Sequence, residues 1–217
     1  MAKIVMIFGN SGVGKSTSLR NFKPEEVSVF NITSKDLPFK NVGKNKIPIK
    51  HNSDYASIAQ GLINPTKRAY VIDDCGYLLS FSALNRATEK GFDKWNEMAE
   101  NFFKMIKFII EEVPNDVIVY LIMHEEIDDK GYIKPKTTGK MIDNTLVLEG
   151  LFTIVLRAVH NESGYKFVTN GESNTAAKTP IGMFEKTEID NDLKLVDTTI
   201  REYYEMPPLG KREAKKV

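Results

Sequence analysis

The chain has 217 residues, of which 41% are hydrophobic and 27% are charged, and this composition is that of one ordinary globular domain. A net charge of +1 excludes a general attraction to polyanions, so nucleic acid would have to be bound by local basic segments. The single cysteine, Cys75, excludes an internal disulfide and a cysteine-cluster metal site. With no signal-peptide pattern and no apolar run of membrane-spanning length, the sequence predicts a cytoplasmic protein without a membrane partner.

The first third of the chain predicts strands and helices in alternation. The apolar run that stops at Gly9 is typical of a buried strand, and Lys23-Pro24 ends the helix that follows it. The apolar runs VSVFNI and AYVIDD predict two further core strands. The predicted elements are strands at 3–8, 27–32 and 69–74, helices at 14–22 and 53–62, and a loop at 36–50 with a short edge strand at KIPIK.

The second part of the chain continues this alternation and closes with a hairpin. Residues 92–113 carry one broad apolar face at helical spacing, which indicates a helix packed on the core. VIVYLIM predicts a strand, and a long polar loop at 124–144 follows it. LFTIVLRAV and YKFVTNG predict an antiparallel pair around 160–164. A loop at 175–184 and a last helix at 191–204 complete the pattern.

Strands that alternate with helices predict an α/β fold, with a mostly parallel sheet flanked by helices and a C-terminal antiparallel hairpin. No internal repeat or interdomain linker interrupts the pattern, so we expect a single domain at 1–206. The basic segment at 207–217 is expected to be a disordered tail.

The segment GNSGVGKS matches the phosphate-loop pattern of a glycine, four residues, a second glycine, a lysine and a serine. Its glycines let backbone N–H groups converge on the β-phosphate, and the next helix adds the positive end of its dipole. We expect Lys15 to extend into solvent-filled space until it meets the β- and γ-phosphates, and Ser16 to bind Mg²⁺. The predicted nucleotide contacts are Gly9, Asn10, Ser11, Gly12, Val13, Gly14, Lys15, Ser16 and Thr17.

Acidic and imidazole side chains follow two of the predicted strands. Asp73 ends the strand AYVIDD, where a Walker B acid would bind Mg²⁺ together with Ser16. His124 and Glu125 follow the next strand, and the ends of parallel strands meet around a ligand. His124 is therefore a candidate sensor of the γ-phosphate. The residue that activates water is left open between Asp74 and Glu125, because Asp74 is shorter than the glutamate that many such ATPases use.

Several segments, taken in order, carry a resemblance to a known group. After the phosphate loop come YVIDDCGYLL, GFDKWNEMAENFFKMI, MHEE, KPKTTGKM and TNGESNTAAKTPIGMF. This order is similar to that of the phage-encoded AAA-type ATP-binding proteins, which are core-only relatives of the RecA/Rad51 recombinases. The resemblance implies a RecA-like fold and a Mg²⁺-ATP-dependent ATPase that works with single-stranded DNA in recombination, annealing or replication. It also implies a homo-oligomer in the host cytoplasm and a single-strand-binding or annealing protein as partner.

The resemblance also assigns roles to particular residues. His124 becomes the sensor at its strand end, and Lys178 becomes a cation that reaches the γ-phosphate of a neighbouring subunit. The segment 125–144 resembles the mobile loop that faces DNA. Positive charge and one aromatic ring in that loop suit single strands, which are bound by backbone neutralisation and base stacking. The candidate DNA contacts are Lys130, Tyr132, Lys134, Lys136 and Lys140.

Two other functions fit the same phosphate loop. A small-molecule kinase would need arginines in a lid to clamp the transferred phosphate, whereas the long loop here carries lysines and no arginine. A nucleotide-gated binding protein with little hydrolysis fits the absence of an acid after VSVFNI, where RecA has the residue that activates water.

Overall fold

The computed structural model describes residues 1–138, 142, 145–171 and 174–212. The strands of this part are β1 (Lys3–Gly9), β2 (Val27–Asn31), β3 (Ile49–His51), β4 (Ala69–Asp73), β5 (Ile118–Ile127), β6 (Ile133–Pro135), β7 (Ile154–Asn161), β8 (Gly164–Val168) and β9 (Glu188–Asp190). They form one sheet in the order β3-β2-β4-β5-β1-β7-β8-β9, with β6 paired to β5 outside that row. The six strands from β3 to β7 in this row are parallel, and β8 is antiparallel to both of its neighbours. The predicted α/β fold with a mostly parallel sheet is therefore confirmed.

Helices cover the sheet. The α-helices of the described residues are α1 (Tyr55–Ile63), α2 (Tyr77–Asn85), α3 (Asp93–Glu112) and α4 (Leu193–Tyr203), and short 3₁₀ helices lie at Ser16–Asn21, Gly43–Asn45 and Leu148–Leu151. A capping box begins α1, in which Asp54 accepts from the Ser57 N–H and the Ser57 hydroxyl caps the Asp54 N–H. The long amphipathic helix predicted at 92–113 is present as α3.

The central strands are buried on both faces, which explains their continuous apolar runs. Met6 and Phe8 of β1 pack with α1, α2 and α3 on one face of the sheet. Val5 and Ile7 face the other way and pack with the 3₁₀ helix at Ser16–Asn21 and with α4. The sheet therefore separates two apolar cores, one on each face. The pairing of its strands fixes where each strand ends relative to its neighbours.

The helix after the phosphate loop is shorter than predicted. Instead of an α-helix at 14–22, the chain forms a 3₁₀ helix at Ser16–Asn21. The Ser18 hydroxyl donates to the Lys15 carbonyl oxygen at 2.6 Å. In a regular α-helix this carbonyl would accept from a backbone N–H, so the side chain competes with the helical hydrogen bond. The contribution of a helix dipole to phosphate binding is correspondingly smaller than expected, since a short 3₁₀ helix aligns few peptide dipoles.

The polar segment predicted as a loop at 124–144 begins as a β-hairpin. β5 continues to Ile127 and pairs antiparallel with β6, Glu126 lying opposite Lys134. The turn between the two strands is held by Asp128, whose carboxylate accepts from the N–H groups of Lys130 and Tyr132. Polar composition hid this hairpin because charged residues occupy the end of β5 and because β6 has only three residues.

Helix α2 and strand β9 were also not predicted from the sequence. Helix α2 buries Leu78 and Leu79 but leaves Phe81 and Leu84 exposed, so it lacks the apolar periodicity that reveals a helix. Strand β9 has only three residues at the sheet edge, where an ion pair joins Lys166 to Asp190 at 2.6 Å.

The predicted boundary at residue 206 falls within a segment that contacts the domain. The Arg212 side chain donates to both carboxylate oxygens of Asp116, at 3.0 and 3.1 Å, and Lys211 forms an antiparallel bridge with Lys67. Residues 213–217 lie outside the described residues. None of the helices in the described part of the chain has the length and apolarity to cross a bilayer.

Candidate functional site

The phosphate loop follows β1 at the carboxyl end of the parallel strands. A Cβ atom on Gly9 would lie 2.5 Å from the Ala158 carbonyl oxygen of the neighbouring strand, so only glycine fits there. Gly14 has a φ of +88°, a conformation that other residues rarely adopt. Both glycines of the sequence motif are therefore required by the local backbone, which supports the phosphate-loop interpretation.

The Lys15 side chain folds back over its own loop. Its ammonium donates to the carbonyl oxygens of Gly9 at 2.9 Å and of Asn10 at 2.6 Å, and the residue is only 7% exposed. The expectation that Lys15 extends into solvent is therefore wrong, because the loop carbonyls offer two acceptors within its reach. Burial lowers the pKa of Lys15, and the nearby carboxylates of Asp74 and Asp73 oppose that shift.

Ser16 and Asp73 meet although 57 residues separate them in the sequence. The Ser16 hydroxyl donates to the Asp73 carboxylate at 2.9 Å, which joins the phosphate loop to the end of β4. This pair fits Mg²⁺, since that ion is usually held by one or two protein oxygens together with substrate phosphates. Among the described residues no group of three or more His, Cys, Asp or Glu side chains could hold a metal by itself. Mg²⁺ bound at Ser16 and Asp73 would neutralise phosphate charge.

The Asp73 carboxylate is buried, at 5% exposure, and it lies beside a second acid. Burial raises its pKa to about 6 from the ordinary value of 3.8, and the negative charge of Asp74 adds to the shift, while the Ser16 hydrogen bond opposes it. A carboxylate that is costly to ionise is suited to bind a cation, which removes that cost.

This raised pKa predicts a pH-dependent stability. The folded protein binds the Asp73 proton more tightly than the unfolded chain, so the ionised carboxylate destabilises the fold above pH 6 and ceases to do so near pH 4. Without Mg²⁺, Asp73→Asn should stabilise the protein at pH 8 by up to roughly 3 kcal/mol, with the gain vanishing by pH 4. Urea unfolding across this pH range measures the difference, with the exposed Asp36→Asn as control. If Asp73→Asn and the wild type differed in unfolding free energy by the same amount at pH 8 and pH 4, the assigned cost of burying the ionised carboxylate would be wrong.

Asp74 adopts a left-handed backbone conformation, with a φ of +59°. Such a conformation is uncommon for a residue with a side chain and is frequent at functional sites. It turns the carboxylate toward the Thr33 hydroxyl at 2.8 Å and the Lys35 ammonium at 3.4 Å. Asp74 is therefore held by polar groups beyond the end of β2, beside the metal-binding pair but not part of it.

His124 ends the buried part of β5, in the strand next to β1. Its Nε2 atom lies 3.7 Å from an Asp74 carboxylate oxygen and has no hydrogen-bond partner among the described residues. Burial lowers the pKa of His124, and the positive charge of Lys15 contributes, so the ring is neutral at neutral pH. A neutral imidazole with an N–H available can donate to a phosphate oxygen, as the predicted sensor role requires.

Glu125 is engaged by an arginine that the sequence did not single out. Arg157 of β7 reaches across the end of β1 and donates to both carboxylate oxygens of Glu125, at 2.9 and 3.2 Å. A carboxylate held in this bidentate way is well oriented, but two of its lone pairs are in use. Glu125 can accept a proton from water only through its remaining lone pairs.

A cavity of about 310 Å³ opens between these groups. It lies next to the phosphate loop, on the side that faces β5. His124 at the end of β5 and Gly76 just after β4 line it together, because these two strands are neighbours in the sheet. Its lining residues are Asn10, Ser11, Gly76, Tyr77, Ser80, His124, Glu125, Lys136 and Thr138. The cavity is polar at its walls, since the hydroxyls of Ser80 and Thr138 are 2.9 Å apart and both face it.

The candidate DNA residues separate into different environments. Lys130 is exposed at the hairpin turn, and Lys134 forms an ion pair with Glu126 at 3.3 Å. Tyr132 is half-buried against the core of α1, α2 and α3. Lys136 lines the cavity beside the phosphate loop. Lys140 lies outside the described residues.

Lys178 lies beside β7 rather than beside the cavity. Its backbone exchanges two hydrogen bonds with Val155, at 2.8 and 2.9 Å, and its side chain is exposed. Val155 is two residues before Arg157, the residue opposite Phe8 near the end of β1. The role of Lys178 at a neighbouring subunit stays a prediction.

Comparison with known proteins finds a distant similarity to a Ras-related protein. The chain is 27% identical over 197 residues to the Ras-related protein RABA1b of Arabidopsis thaliana. This match spans 87% of the chain and 88% of that protein. No family model matches the chain. Together with the phosphate loop and the mostly parallel sheet, this similarity indicates a P-loop nucleotide-binding protein.

Proposed function

We propose that this protein is a RecA-like ATPase that couples binding and hydrolysis of Mg²⁺-ATP to single-stranded DNA in phage recombination, annealing or replication. One observation carries the proposal. β5 lies between β1 and β4, so His124 and Glu125 emerge between the phosphate loop and Asp73. The same strand continues without a break into the lysine-bearing hairpin. A nucleotide site and a basic surface are thus built on one strand.

Hydrolysis joins a water oxygen to the γ-phosphorus and breaks the bond from that phosphorus to the bridging oxygen. The bridging oxygen leaves with its electron pair on ADP, and the water loses a proton to a carboxylate or to bulk solvent. Lys15 and the loop N–H groups would hold the β- and γ-phosphates, while Ser16 and Asp73 would hold Mg²⁺. His124 would donate to a γ-phosphate oxygen.

The structure offers two carboxylates to position water. Asp74 lies 3.7 Å from His124, and Glu125 lines the cavity itself. Because Glu125 reaches the cavity while Asp74 is turned toward Thr33 and Lys35, we propose Glu125 as the residue that orients water. Arg157 would then hold the Glu125 carboxylate in a fixed orientation.

The hairpin supplies the proposed DNA surface. Lys130 and Lys134 lie on β6 or its turn, which begins only a few residues after His124. Movement of β5 at the γ-phosphate would be transmitted to this hairpin through the backbone pairing of Glu125 and Pro135. A single strand bound there would in turn favour the arrangement of His124 that hydrolysis needs.

The double substitution Lys130→Ala and Lys134→Ala tests this surface. If both lysines contact phosphates, the log–log salt dependence of single-strand affinity should flatten by about 1.4, since each contact contributes about 0.7. Fluorescence anisotropy with labelled oligothymidine over a range of salt concentrations measures the slope. Lys104→Ala with Lys107→Ala is the control, since these α3 lysines also have glutamate partners. Equal slopes in the two double variants would exclude the hairpin as the binding surface.

GTP is the second candidate nucleotide, and the similarity to a Ras-related protein favours it. The phosphate loop and the Ser16–Asp73 pair contact only phosphates and metal, so they serve ATP and GTP alike. Competition of unlabelled ATP and GTP against one labelled triphosphate decides between them. Our proposal predicts that ATP competes at the lower concentration.

A further inference from the structure

Lys136 belongs to the hairpin by sequence but lies at the nucleotide cavity. It follows β6 directly, and its backbone N–H donates to the His124 carbonyl oxygen at 2.8 Å. This bond fixes the residue beside the candidate sensor. Lys136 lines the cavity together with Asn10 and Ser11 of the phosphate loop.

The other described lysines of the hairpin are placed elsewhere. Lys134 is paired with Glu126, and Lys130 is exposed at the turn. Neither of them lines the cavity, so the hairpin contributes a single described cation there. The hairpin therefore divides its basic residues between an outer surface and the nucleotide site.

The acids around the cavity already have cationic partners. Glu125 is held by Arg157, and Asp74 is 3.4 Å from Lys35. The described residues contain no ion pair or side-chain hydrogen bond to Lys136, and its side chain is exposed. A cation that lines a polar cavity without a carboxylate partner is suited to bind an anion.

We propose that Lys136 contacts the terminal phosphate of the bound nucleoside triphosphate in cis. The proposal rests on the proposed function, because it places the γ-phosphate in the cavity of about 310 Å³ beside Asn10 and Ser11. Lys15 folds against the Gly9 and Asn10 carbonyls of the loop, whereas Lys136 is attached to the cavity wall through its backbone N–H, which donates to the His124 carbonyl oxygen. The cavity is therefore lined both by the phosphate loop and by a cation from the segment after β6.

This contact distinguishes triphosphate from diphosphate. ADP lacks the group that Lys136 would reach, so Lys136 should stabilise bound ATP and leave bound ADP unaffected. Because Lys136 is one residue past β6, its engagement would also report the state of the nucleotide to the hairpin. Lys178 of a neighbouring subunit is then not the sole cation proposed for the γ-phosphate.

The test compares nucleotide affinities of Lys136→Met with those of Lys104→Met, which removes an equal charge from the surface of α3. Titration calorimetry measures binding of ADP and of a non-hydrolysable ATP analogue, with Mg²⁺ present. Loss of one charge-assisted contact should weaken the analogue by about tenfold or more in Lys136→Met and leave ADP within about twofold. Lys104→Met should bind both like the wild type. Lys136→Arg keeps the cation and should recover most of the lost affinity.

Four results would contradict the proposed role of Lys136 or the proposed function beneath it. Equal weakening of ADP and the analogue, or no weakening of either, would overturn the role of Lys136. An arginine variant as weak as the methionine variant would show a requirement of packing rather than of charge, and would also overturn it. If the wild type itself binds neither nucleotide, the proposed function fails rather than this inference alone.

Discussion

Lys15→Ala is expected to weaken binding of the Mg²⁺-nucleotide by about 100-fold or more. The ammonium would exchange its two carbonyl acceptors, on Gly9 and Asn10, for phosphate oxygens, and each charge-assisted bond contributes about 1.5–3 kcal/mol. Calorimetric titration with ATP and with GTP measures the loss. Lys23→Ala, an exposed lysine just after the 3₁₀ helix, is the matched control and should bind normally.

The same substitution has a structural consequence that must be separated from the loss of binding. Removing the side chain deletes two hydrogen bonds within the loop and also removes a buried charge, so the free energy of unfolding should change by only about 1–2 kcal/mol. Urea unfolding of the variant checks this. A well-folded Lys15→Ala protein with wild-type affinity would refute the phosphate-loop assignment.

Asp73→Asn should reduce turnover by about 100-fold while weakening nucleotide binding much less. The asparagine side chain in this variant can still accept the Ser16 hydrogen bond, but it lacks the negative charge that Mg²⁺ requires. A loss of several kcal/mol in transition-state stabilisation corresponds to this change in rate. Phosphate release under saturating ATP, with Mg²⁺ varied, measures the effect.

Asp74→Asn is the matched control for that experiment. Asp74 is the next residue, but it faces Thr33 and Lys35 rather than Ser16, so its loss should slow turnover less. If Asp74→Asn proves far more damaging than Asp73→Asn, the two acids have been assigned in the wrong order.

Much of the fold could be predicted because local pattern and tertiary environment agree. The strand that ends at Gly9 is apolar from Ile4 to Phe8 because both of its faces are buried, and helix α3 shows its single apolar face in the sequence. The phosphate loop is a local motif whose glycines are needed by its own backbone, so spacing alone revealed it.

The rest depends on contacts between residues far apart in the sequence. Arg157 of β7 contacts Glu125 of β5 across the end of β1, the strand that lies between theirs in the sheet. No local sequence pattern predicts this contact. Lys136 was predicted as a DNA contact from its neighbours, and that role stays a prediction. Its place in the lining of the cavity beside the phosphate loop follows from the pairing of β5 with β6, which the sequence did not reveal. The direction of the Lys15 side chain was not predicted because the phosphate-loop motif specifies residue types only. It gives no information on the Gly9 and Asn10 carbonyl oxygens to which the lysine donates.

Phosphate release from ATP, measured with and without single-stranded DNA and with nucleosides as possible acceptors, decides whether this protein is a DNA-coupled ATPase. We expect Mg²⁺-dependent release of inorganic phosphate that single-stranded DNA accelerates, that Lys15→Ala lowers through weaker nucleotide binding, and that Asp73→Asn lowers by about 100-fold. Transfer of the γ-phosphate to a nucleoside would contradict it in favour of a kinase. Tight nucleotide binding without phosphate release, whether DNA is present or not, would contradict it in favour of a nucleotide-gated binding protein.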